Sequence, residues 1–515
     1  MPALTAARPV PRRIAFLALT GLCALALTAG VSRAEESKSG AKPAAPPPER
    51  QVVTEHKVTI GGETIRYKAT AGTVHLKNDK GEPTASIFYV AYTREGVDHP
   101  ENRPVTYTFN GGPGSSSVWL HMGAFGPRRV TFAKPEQPDP PPYELVNNGQ
   151  SLLDVTDMVF IDPVGTGYSH ALGEAKAKDF LGVKEDMKSV YQFIRRWTTE
   201  NERWNSPRFL AGESYGTTRA AGLVEYAQEQ GMFFNGVVLV SSILNFQTAS
   251  FQTGNDLPYV LFLPSFAATA WYHDALPDKP DDLNAFLDQA RRFALQTYGP
   301  ALLKGDQLGE AEKQEVVAGL HRFTGLSEDY IRETNLRINI FRFTKELLRD
   351  QRRTVGRLDS RFEGMDSDAA GETFEHDPSY TAIFGPYTAV FNDYVRRELN
   401  FDEDRNYEIL SGEVNRQWKW DESDRQGYVN VAEDLRKAMS TNTHLKVMIA
   451  NGYYDLATPF FATEYTVSHL GLEPELRDHI HLTYYPAGHM MYIDPASHEK
   501  LKNDVASFIR GASGE

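Results

Sequence analysis

Residues 208–217 read Arg-Phe-Leu-Ala-Gly-Glu-Ser-Tyr-Gly-Thr, an apolar run followed by a G-x-S-x-G pattern. The run before Gly212 predicts a buried strand, and the residues after Ser214 predict a helix. Gly212 and Gly216 lack the Cβ atoms that would clash in a sharp strand–helix turn. The segment therefore predicts a nucleophile elbow with Ser214 at its tip. An incidental glycine-rich turn is the alternative, and the strand and helix on either side disfavour it.

A serine nucleophile needs a general base and a carboxylate that orients this base. His489 is the candidate base because it follows the last predicted strand, in a loop with Pro486 and Gly488. Asp455 is the candidate acid because it comes just after the preceding strand, and the order nucleophile, acid, histidine is expected for a sheet that carries such an elbow. The competing candidates are His479, His481 and His498 for the base, and Asp478 and Asp494 for the acid.

A second glycine-rich segment, Asn-Gly-Gly-Pro-Gly-Ser-Ser-Ser at residues 110–117, follows another predicted strand. Its exposed backbone N–H groups can hold the oxyanion of a tetrahedral intermediate. A phosphate-binding loop is a competing interpretation, but neither a Gly-Lys-Ser/Thr ending nor a dinucleotide-binding pattern is present. A tight turn without a ligand is the third interpretation. The position of the segment relative to the elbow favours the first.

Short apolar runs that end at Gly, Pro or Asp predict further strands on both sides of the elbow. The predicted strands are 57–60, 63–69, 86–92, 105–109, 158–161, 209–211, 237–240, 446–450 and 481–485. The first three, around a Gly61-Gly62 turn, predict an antiparallel entry to the sheet. Helical patterns at 183–197 and 217–230 separate later strands, and a terminal helix begins near Pro495. This alternation predicts an α/β fold with a mostly parallel central sheet and helices on both faces.

The alternation of strands and helices stops between residues 245 and 442, which are aromatic, charge-rich and helical in pattern. We interpret this stretch as a helical cap inserted between two parts of one core, 51–244 and 443–515. The cap contains a basic stretch in an otherwise acidic protein: Arg337, Arg342, Lys345, Arg349, Arg352, Arg353 and Arg357. A solvated helix face with acidic partners is one interpretation. A positive surface that attracts anionic substrates is the other.

The N-terminus is typical of a secretory signal peptide. A basic segment with Arg12-Arg13 precedes the apolar residues 14–31, and small residues lead to a predicted cleavage near Ala34. A permanent membrane anchor is the alternative, and the arginine pair leaves both the twin-arginine and the general export route open. Residues 35–50 predict a Pro/Ala-rich spacer. The mature chain would be periplasmic or extracellular, without a stable membrane anchor and without Cys23.

The composition narrows the class of protein. The chain has 515 residues, 41% of them hydrophobic and 24% charged, which excludes collagen-like, coiled-coil and wholly disordered proteins. The net charge of −14 argues against nucleic acid as a partner. A single cysteine cannot form an internal disulfide or a cysteine-based zinc site, and the sequence has no His-Glu-x-x-His. No metal or other cofactor is therefore predicted.

Four motifs together resemble those of the serine carboxypeptidases, peptidase family S10. They are 110–117 with Gly126-Pro127 downstream, Ile-Asp-Pro-Val-Gly-Thr-Gly-Tyr-Ser at 161–169, Gly-Glu-Ser-Tyr at 212–215, and Gly-His-Met at 488–490. The motifs stand in the order of the family and span most of the chain. The resemblance implies an exported, bacterial-type member with an α/β-hydrolase fold and a large inserted helical cap.

The resemblance also implies a role for each motif residue. Ser214 would attack the scissile carbonyl, His489 would carry the proton, and Asp455 would hold the imidazole. The N–H groups of Gly112 and Tyr215 would form the oxyanion hole.

Three further residues, Asn110, Gly111 and Glu213, would bind the free C-terminal carboxylate of the peptide substrate, as the resemblance implies. Two close carboxylates cannot both stay ionised, so Glu213 and the substrate must share a proton. The sequence therefore predicts that peptide binding favours acidic pH.

The chain departs from the family pattern at three positions. Ala124 stands where the family often has a second carboxylate-binding Glu, Thr108 where it has Trp, and Ser115 where it has Cys. Family members are often rich in disulfides, whereas the mature chain would have none. These differences leave the predicted triad intact but weaken the requirement for a free C-terminus, so esters, amides and unusual peptides stay open as substrates.

The sequence thus predicts a serine carboxypeptidase that acts on peptides with a free C-terminus, as a monomer or a homodimer. An esterase or acyltransferase on the same scaffold is the alternative enzyme, since water or another nucleophile can release the acyl group. A catalytically silent binding protein is a third class. The complete set of Ser214, Asp455 and His489 argues against it.

Overall fold

A ten-stranded sheet organises the residues that the computed structural model describes, which are 46–132, 140–420 and 427–514. These described residues form one compact unit. Every strand predicted from the sequence is present. The strands are β1 (Gln51–Ile60), β2 (Glu63–Lys77), β3 (Pro83–Arg94), β4 (Val105–Phe109), β5 (Arg128–Thr131), β6 (Glu144–Asn147), β7 (Asp157–Ile161), β8 (His170–Ala171), β9 (Arg208–Ser214), β10 (Gly236–Ser242), β11 (Arg353–Val355), β12 (Glu363–Met365), β13 (Lys446–Gly452) and β14 (Ile480–Tyr485).

The sheet is antiparallel at its entry and parallel around the elbow. Its strand order is β1-β2-β3-β7-β4-β9-β10-β13-β14, and β8 pairs with β3. The strands from β1 to β7 in this order pair antiparallel, whereas those from β7 to β14 pair parallel. Two small hairpins, β5–β6 and β11–β12, lie outside it. The predicted α/β fold, with a mostly parallel central sheet, is confirmed.

Helices lie between the parallel strands and throughout the long stretch before β13. The α-helices of the described residues are α1 (Val183–Glu200), α2 (Tyr215–Glu229), α3 (Leu257–Tyr272), α4 (Leu283–Phe293), α5 (Gly299–Lys304), α6 (Glu310–Thr324), α7 (Glu328–Glu333), α8 (Ile340–Glu346), α9 (Pro378–Arg397), α10 (Gly412–Gln417), α11 (Ala432–Thr441), α12 (Phe460–Ser468), α13 (Pro474–Arg477) and α14 (Pro495–Ser513). The predicted helices at 183–197 and 217–230 correspond to α1 and α2, and the terminal helix begins at Pro495 as predicted.

Both faces of the sheet are buried under packed helices. Successive residues of a central strand point to opposite faces, so neighbouring residues join different apolar clusters. In β9, Phe209 and Ala211 join an apolar cluster that includes Leu501 and Val505 of α14. Leu210, between them, joins a second cluster with residues of α1 and α2. A continuous apolar run is therefore what a central strand in this position requires.

The stretch 245–442 packs in two different ways. Helices α3, α4 and α6 share a third apolar cluster with α12, which follows β13. Two later helices instead complete the layers over the sheet. Tyr387 and Tyr394 of α9 belong to the first cluster, and Leu435 and Met439 of α11 belong to the second. The limits 245–442 of the cap stay a prediction, but its later helices contribute directly to the core.

The basic stretch of the cap does not form one helix face, so the interpretation of this stretch as a solvated helix face is wrong. Helix α8 ends at Glu346, and the chain then turns through Arg352, whose φ is +54°, into β11. Local acidic partners are nevertheless present, and the side chains of Lys345 and its partner Asp366 are both buried. The ion pairs are Arg337–Asp256, Arg342–Glu372, Lys345–Asp366 and Arg349–Glu346.

The predicted signal peptide and most of the predicted spacer lie outside the described residues. The end of the spacer is held in place, because Glu49 accepts hydrogen bonds from the His75 backbone N–H and from Arg196. Arg50 pairs with Glu403 at 3.1 Å. No helix within residues 46–514, apart from the two gaps in the description, is long and apolar enough to cross a membrane.

A buried carboxylate fixes the start of β7 next to β4. Asp157 accepts hydrogen bonds from the Arg94 backbone N–H, from Arg103 Nε at 2.7 Å and from Arg203 at 2.6 Å. All three side chains in these ion pairs are at least 90% buried. Removing one partner of such a pair leaves uncompensated buried charge.

Replacing Asp157 with Ala should therefore lower the free energy of unfolding by about 3 kcal/mol or more, measured by urea denaturation. The control is Glu63→Ala, which removes the exposed partner of Arg94 and should cost less than about 1 kcal/mol. Equal losses for the two variants would contradict this account of the buried cluster.

Candidate active site

The turn at Ser214 is as sharp as the sequence predicts. Ser214 joins β9 to α2 with φ 59° and ψ −128°, outside the regions that non-glycine residues usually adopt. A Cβ on Gly212 would lie 2.2 Å from the Gly216 carbonyl oxygen. A Cβ on Gly216 would lie 2.9 Å from the Phe109 carbonyl oxygen. The two glycines are thus needed for packing, and the turn leaves the Ser214 side chain partly accessible.

The carboxylate of Asp455 is completely buried and fully engaged just after β13. Oδ1 accepts the backbone N–H groups of Ala457 at 2.7 Å and Thr458 at 2.9 Å. Oδ2 accepts the Thr458 hydroxyl at 2.7 Å and faces His489 Nδ1 at 2.8 Å. These bonds fix both the position and the rotation of the carboxylate.

The imidazole of His489 is held through its backbone as well as by Asp455. The backbone N–H of His489 donates to the Leu358 carbonyl at 2.7 Å, and the His489 carbonyl accepts the Ser241 hydroxyl at 2.7 Å. Burial disfavours the charged ring, but the charge and hydrogen bond of Asp455 outweigh it and Glu213 adds to them, so the pKa of His489 is raised. Asp455 therefore stabilises the protonated imidazole, which is the form that His489 has after it takes up a proton as a general base.

Ser214 and His489 are not hydrogen bonded to each other in the described structure, which links His489 Nδ1 to Asp455 and leaves Nε2 for a further partner. Bonds between nucleophile and base are frequently long in free enzymes and tighten when substrate binds. The structure thus pairs two of the three predicted residues directly.

The competing histidines and acids lie elsewhere. His498 on α14 is buried, contacts the Ala124 carbonyl and Arg129, and has a pKa lowered to about 3 by burial and by the Arg129 charge. Asp494 caps α14 by accepting the Ser497 N–H. The remaining candidates are His479 before β14, His481 within it and Asp478 at the end of α13. Within the described residues, none of them pairs as Asp455 and His489 do.

The glycine-rich loop 110–117 lies directly against the start of α2. A Cβ on Gly111 would come within 2.4 Å of the Tyr215 nitrogen, and Gly112 has φ +101°. Tyr215 is the first residue of α2, so its N–H has no acceptor within its own helix. The loop residue next to Gly112 therefore lies against the N–H of Tyr215. That Gly112 and Tyr215 form an oxyanion hole stays a prediction.

Two buried charges hold this loop at its ends. Arg219 of α2 donates to the Asn110 carbonyl at 2.6 Å and pairs with Asp186 at 2.7 Å. Asp162 accepts the backbone N–H and the hydroxyl of Ser117, both at 2.9 Å. Burial raises the pKa of Asp162 to about 6, and the Ser117 bonds oppose that rise. The motif at 161–169 thus serves to position the glycine-rich loop.

Glu213 is a buried acid beside the elbow. Its Oε1 accepts the Asn110 amide at 2.9 Å, and its Oε2 accepts the Tyr492 hydroxyl at 2.7 Å. Burial raises the pKa of Glu213 to about 7; the His489 charge and the two hydrogen bonds lower it, and Asp455 raises it. The carboxyl is therefore neutral in mildly acidic solution, as the sharing of a proton with a substrate carboxylate requires.

Sequence reasoning missed three residues of this site: Tyr492 beside Glu213, Thr458 beside Asp455, and Ser241 beside His489. Thr458 and Tyr492 each lie three residues after a predicted triad member. Their proximity to the triad was the only available signal, because the sequence does not show which way the loop side chains turn. Ser241, at φ +52° in a different strand, left no signal at all.

The strand order, the turn at Ser214 and the loops at the carboxyl ends of β4, β9, β13 and β14 define an α/β-hydrolase. The sequence profile of the serine carboxypeptidases matches residues 61–478, most of the chain. The chain belongs to the serine carboxypeptidase family, peptidase family S10. The match ends before His489, so the position of this residue rests on the structure and on its own motif.

Individual relatives match over shorter segments. Serine carboxypeptidase-like 42 of Arabidopsis thaliana is 32% identical over 158 residues, 30% of either chain. Serine carboxypeptidase-like 46 of the same plant is 28% identical over 198 residues, 36% of this chain and 39% of the relative. The chain thus spans less than half the length of these relatives.

One solved structure shows the same fold. The chain is similar to Kex1(Δ)p, a prohormone-processing carboxypeptidase from Saccharomyces cerevisiae, with a TM-score of 0.54 and 13% identity. The alignment covers 87% of this chain and 91% of that one. Across the described residues, no group of three or more His, Cys, Asp or Glu side chains is arranged to hold a metal ion.

The raised pKa of Glu213 predicts a specific pH dependence of stability. Because the folded-state pKa, about 7, exceeds the ordinary 4.5, the folded protein holds this proton more tightly than the unfolded chain. Its contribution to the free energy of unfolding is complete below about pH 4.5 and is lost as pH rises through about 7, about 3 kcal/mol in all.

Glu213→Gln should remove this loss, since Gln cannot ionise. Relative to wild type, the variant should gain about 3 kcal/mol in urea denaturation between about pH 4.5 and about pH 8. Glu55→Gln, at an exposed position of β1, is the control and should follow wild type. A difference between Glu213→Gln and wild type that does not change with pH would contradict the assignment.

Proposed function

We propose that the protein is a serine carboxypeptidase that hydrolyses the C-terminal peptide bond through an acyl-enzyme on Ser214. The observation that carries this proposal is the buried pair of Asp455 and His489, 2.8 Å apart, in a fold that presents Ser214 at a strained elbow. His489 takes the serine proton and later gives it to the leaving amine. Asp455 stabilises the imidazolium that forms between these steps.

The oxyanion site belongs to the same proposal. The N–H groups of Gly112 and Tyr215 donate to the carbonyl oxygen as it becomes negative. The loop that carries Gly112 is fixed before substrate arrives, because Arg219 of α2 donates to Asn110 at one end of the loop and Asp162 accepts from Ser117 at the other. A preorganised donor pair of this kind stabilises the transition state without a cost of reorganisation during the reaction.

Asn110, Gly111 and Glu213 bind the free C-terminal carboxylate in this proposal. A peptide α-carboxyl has a pKa of about 3.5 and is ionised above mildly acidic pH. The neutral Glu213 carboxyl can donate a hydrogen bond to it, and the Asn110 amide, already on Glu213, lies beside the same position. The hydroxyl of Tyr492 donates to Glu213. The Tyr492 ring packs against Gly123, next to Ala124, where the family often has a second Glu.

We also propose that the protein is exported, with cleavage near Ala34 and a mature form in the periplasm or outside the cell. The support is the order of basic, apolar and small residues within residues 1–34. N-terminal sequencing of the mature protein recovered from the native host tests this proposal.

The function is tested by labelling and product analysis. A fluorophosphonate probe should modify Ser214, as mapped by peptide mass spectrometry, and N-blocked dipeptides should release their C-terminal amino acid. Ser214→Ala should lower peptide kcat/KM by about 10⁴-fold or more. Ser440→Ala, on the exposed face of α11, is the control and should keep full activity.

Two results would contradict the proposal. Cleavage of small esters without cleavage of blocked dipeptides would assign the protein to the esterase or acyltransferase alternative. Full hydrolysis by Ser214→Ala would exclude Ser214 as the nucleophile.

The pH profile tests the role of Glu213. The ratio of kcat/KM for a peptide to kcat/KM for an ester without a free carboxylate should fall as pH rises through about 7, because an ionised Glu213 repels the substrate carboxylate. Taking the ratio removes the titration of His489, whose pKa is also raised and which must be neutral to act as the base. Tyr492→Phe removes a hydrogen bond that lowers the pKa of Glu213, so the fall in this ratio should move up by about one pH unit. A ratio that is flat from acid to about pH 8 would contradict the role.

A further inference from the structure

A short segment of the predicted cap, residues 357–361, lies between the loops that carry Asp455 and His489. We call it the clamp segment. On the acid side, the Arg357 carbonyl accepts the Leu456 N–H at 3.1 Å, and the Ser360 N–H donates to the Tyr454 carbonyl at 3.0 Å. The Ser360 hydroxyl donates to the same carbonyl at 3.0 Å. The residues on both sides of Asp455 are thus fixed to the clamp segment.

The same segment holds the histidine loop through three more hydrogen bonds. The Leu358 carbonyl accepts the His489 N–H at 2.7 Å. The Asp359 carboxylate accepts the Gly488 N–H at 3.1 Å, and the Arg361 guanidinium donates to the Pro486 carbonyl at 2.9 Å. Three of the four residues at 486–489 are therefore bonded to the clamp segment.

Asp359 and Arg361 form a buried ion pair inside the clamp segment. Arg361 donates through Nε to Oδ1 at 3.0 Å and through its terminal nitrogen to Oδ2 at 2.7 Å. Each side chain is 6% exposed. A Cβ on Gly488 would lie 2.4 Å from the Asp359 Cβ, so the glycine before His489 is required by direct contact with this pair.

The clamp segment is tied in turn to the first long helix of the predicted cap. The Thr269 hydroxyl of α3 lies 2.6 Å from the Ser360 hydroxyl, and His273, next to the end of α3, contacts the Ser360 carbonyl at 2.6 Å. Hydrogen bonds therefore connect α3, through the clamp segment, to the loops that carry Asp455 and His489.

We propose that Asp359 and Arg361 are positioning residues that fix the His489 imidazole relative to Asp455 and Ser214. This inference rests on the proposed function, since it assigns His489 a catalytic part. Neither side chain touches the reacting atoms; they act through the backbone of residues 486–489. In Asp359→Asn one acceptor oxygen is replaced by an NH2 group, so the side chain can no longer accept every N–H that Gly488 and Arg361 direct at it. Arg361 also loses the charged partner that aims it at Pro486. A catalytic group misplaced by about 1 Å can lose about 100-fold in rate.

The test compares Asp359→Asn with Asp366→Asn. Asp366 forms a second buried ion pair of the predicted cap, with Lys345, and both side chains are 2% exposed. The described contacts of Asp366 include no catalytic loop. Both variants remove the nearest carboxylate charge of a buried cation, and Arg361 then keeps only Asp494, at 4.0 Å, so both should lower Tm. Only Asp359→Asn should lower kcat, by about 10- to 100-fold, with KM changed by less than about twofold.

One further variant and two further readouts keep the proposal testable if Asp359→Asn is poorly folded or the enzyme does not cleave peptides. Arg361→Lys retains the charge and should keep more kcat than Asp359→Asn. The rate of fluorophosphonate labelling at Ser214 measures nucleophile activation without any peptide. The downfield Nδ1 proton resonance of His489, assigned through its loss in His489→Gln, reports the geometry of the His489–Asp455 bond in the protein without substrate.

The proposal predicts slower labelling and a shifted or broadened resonance in Asp359→Asn, with both unchanged in Asp366→Asn. Wild-type kcat, labelling rate and resonance in Asp359→Asn, with the same loss of Tm as Asp366→Asn, would show that the pair only stabilises the fold. A labelled wild type that leaves peptides intact would count against the carboxypeptidase function and not against the positioning role.

Discussion

The close approach of three backbone segments at Ser214 is the constraint on which the rest of the site depends. The end of β9, the start of α2 and the glycine-rich loop meet so closely that Cβ atoms on Gly212, Gly216 and Gly111 would lie 2.2 to 2.9 Å from neighbouring backbone atoms. This packing forces Ser214 into a strained conformation and places the first N–H of α2 against the loop. The parallel strands on both sides then deliver the loops with Asp455 and His489 to the same edge of the sheet.

Two buried acids, Asp455 and Glu213, lie near the His489 imidazole, and their hydrogen-bond partners differ. Asp455 accepts four hydrogen bonds, two of them from backbone N–H groups. Glu213 has two donors, Asn110 and Tyr492, and its pKa is raised to about 7. Asp455 is therefore placed to hold the imidazole, whereas Glu213, with its raised pKa, can carry a proton.

The sheet and the predicted site residues could be read from the sequence because their signals are local. The strands of the core are buried on both faces and appear as continuous apolar runs, and the elbow needs glycines at fixed spacing. The contacts of Tyr492, Ser241 and the clamp segment could not be read, because they join residues far apart in the chain and depend on side-chain direction. The basic stretch from Arg337 was wrongly predicted to form one helix face. The chain turns at Arg352, and neither Gly nor Pro stands at this turn to signal it.

The most direct test of the account compares one peptide in two forms, with a free C-terminal carboxylate and with a C-terminal amide, followed by mass spectrometry over time. The account predicts stepwise loss of single residues from the free acid, little or no cleavage of the amide, and no cleavage of either by Ser214→Ala. Equal cleavage of both forms, or cleavage at internal bonds, would contradict a site in which Glu213 and Asn110 select the free C-terminus.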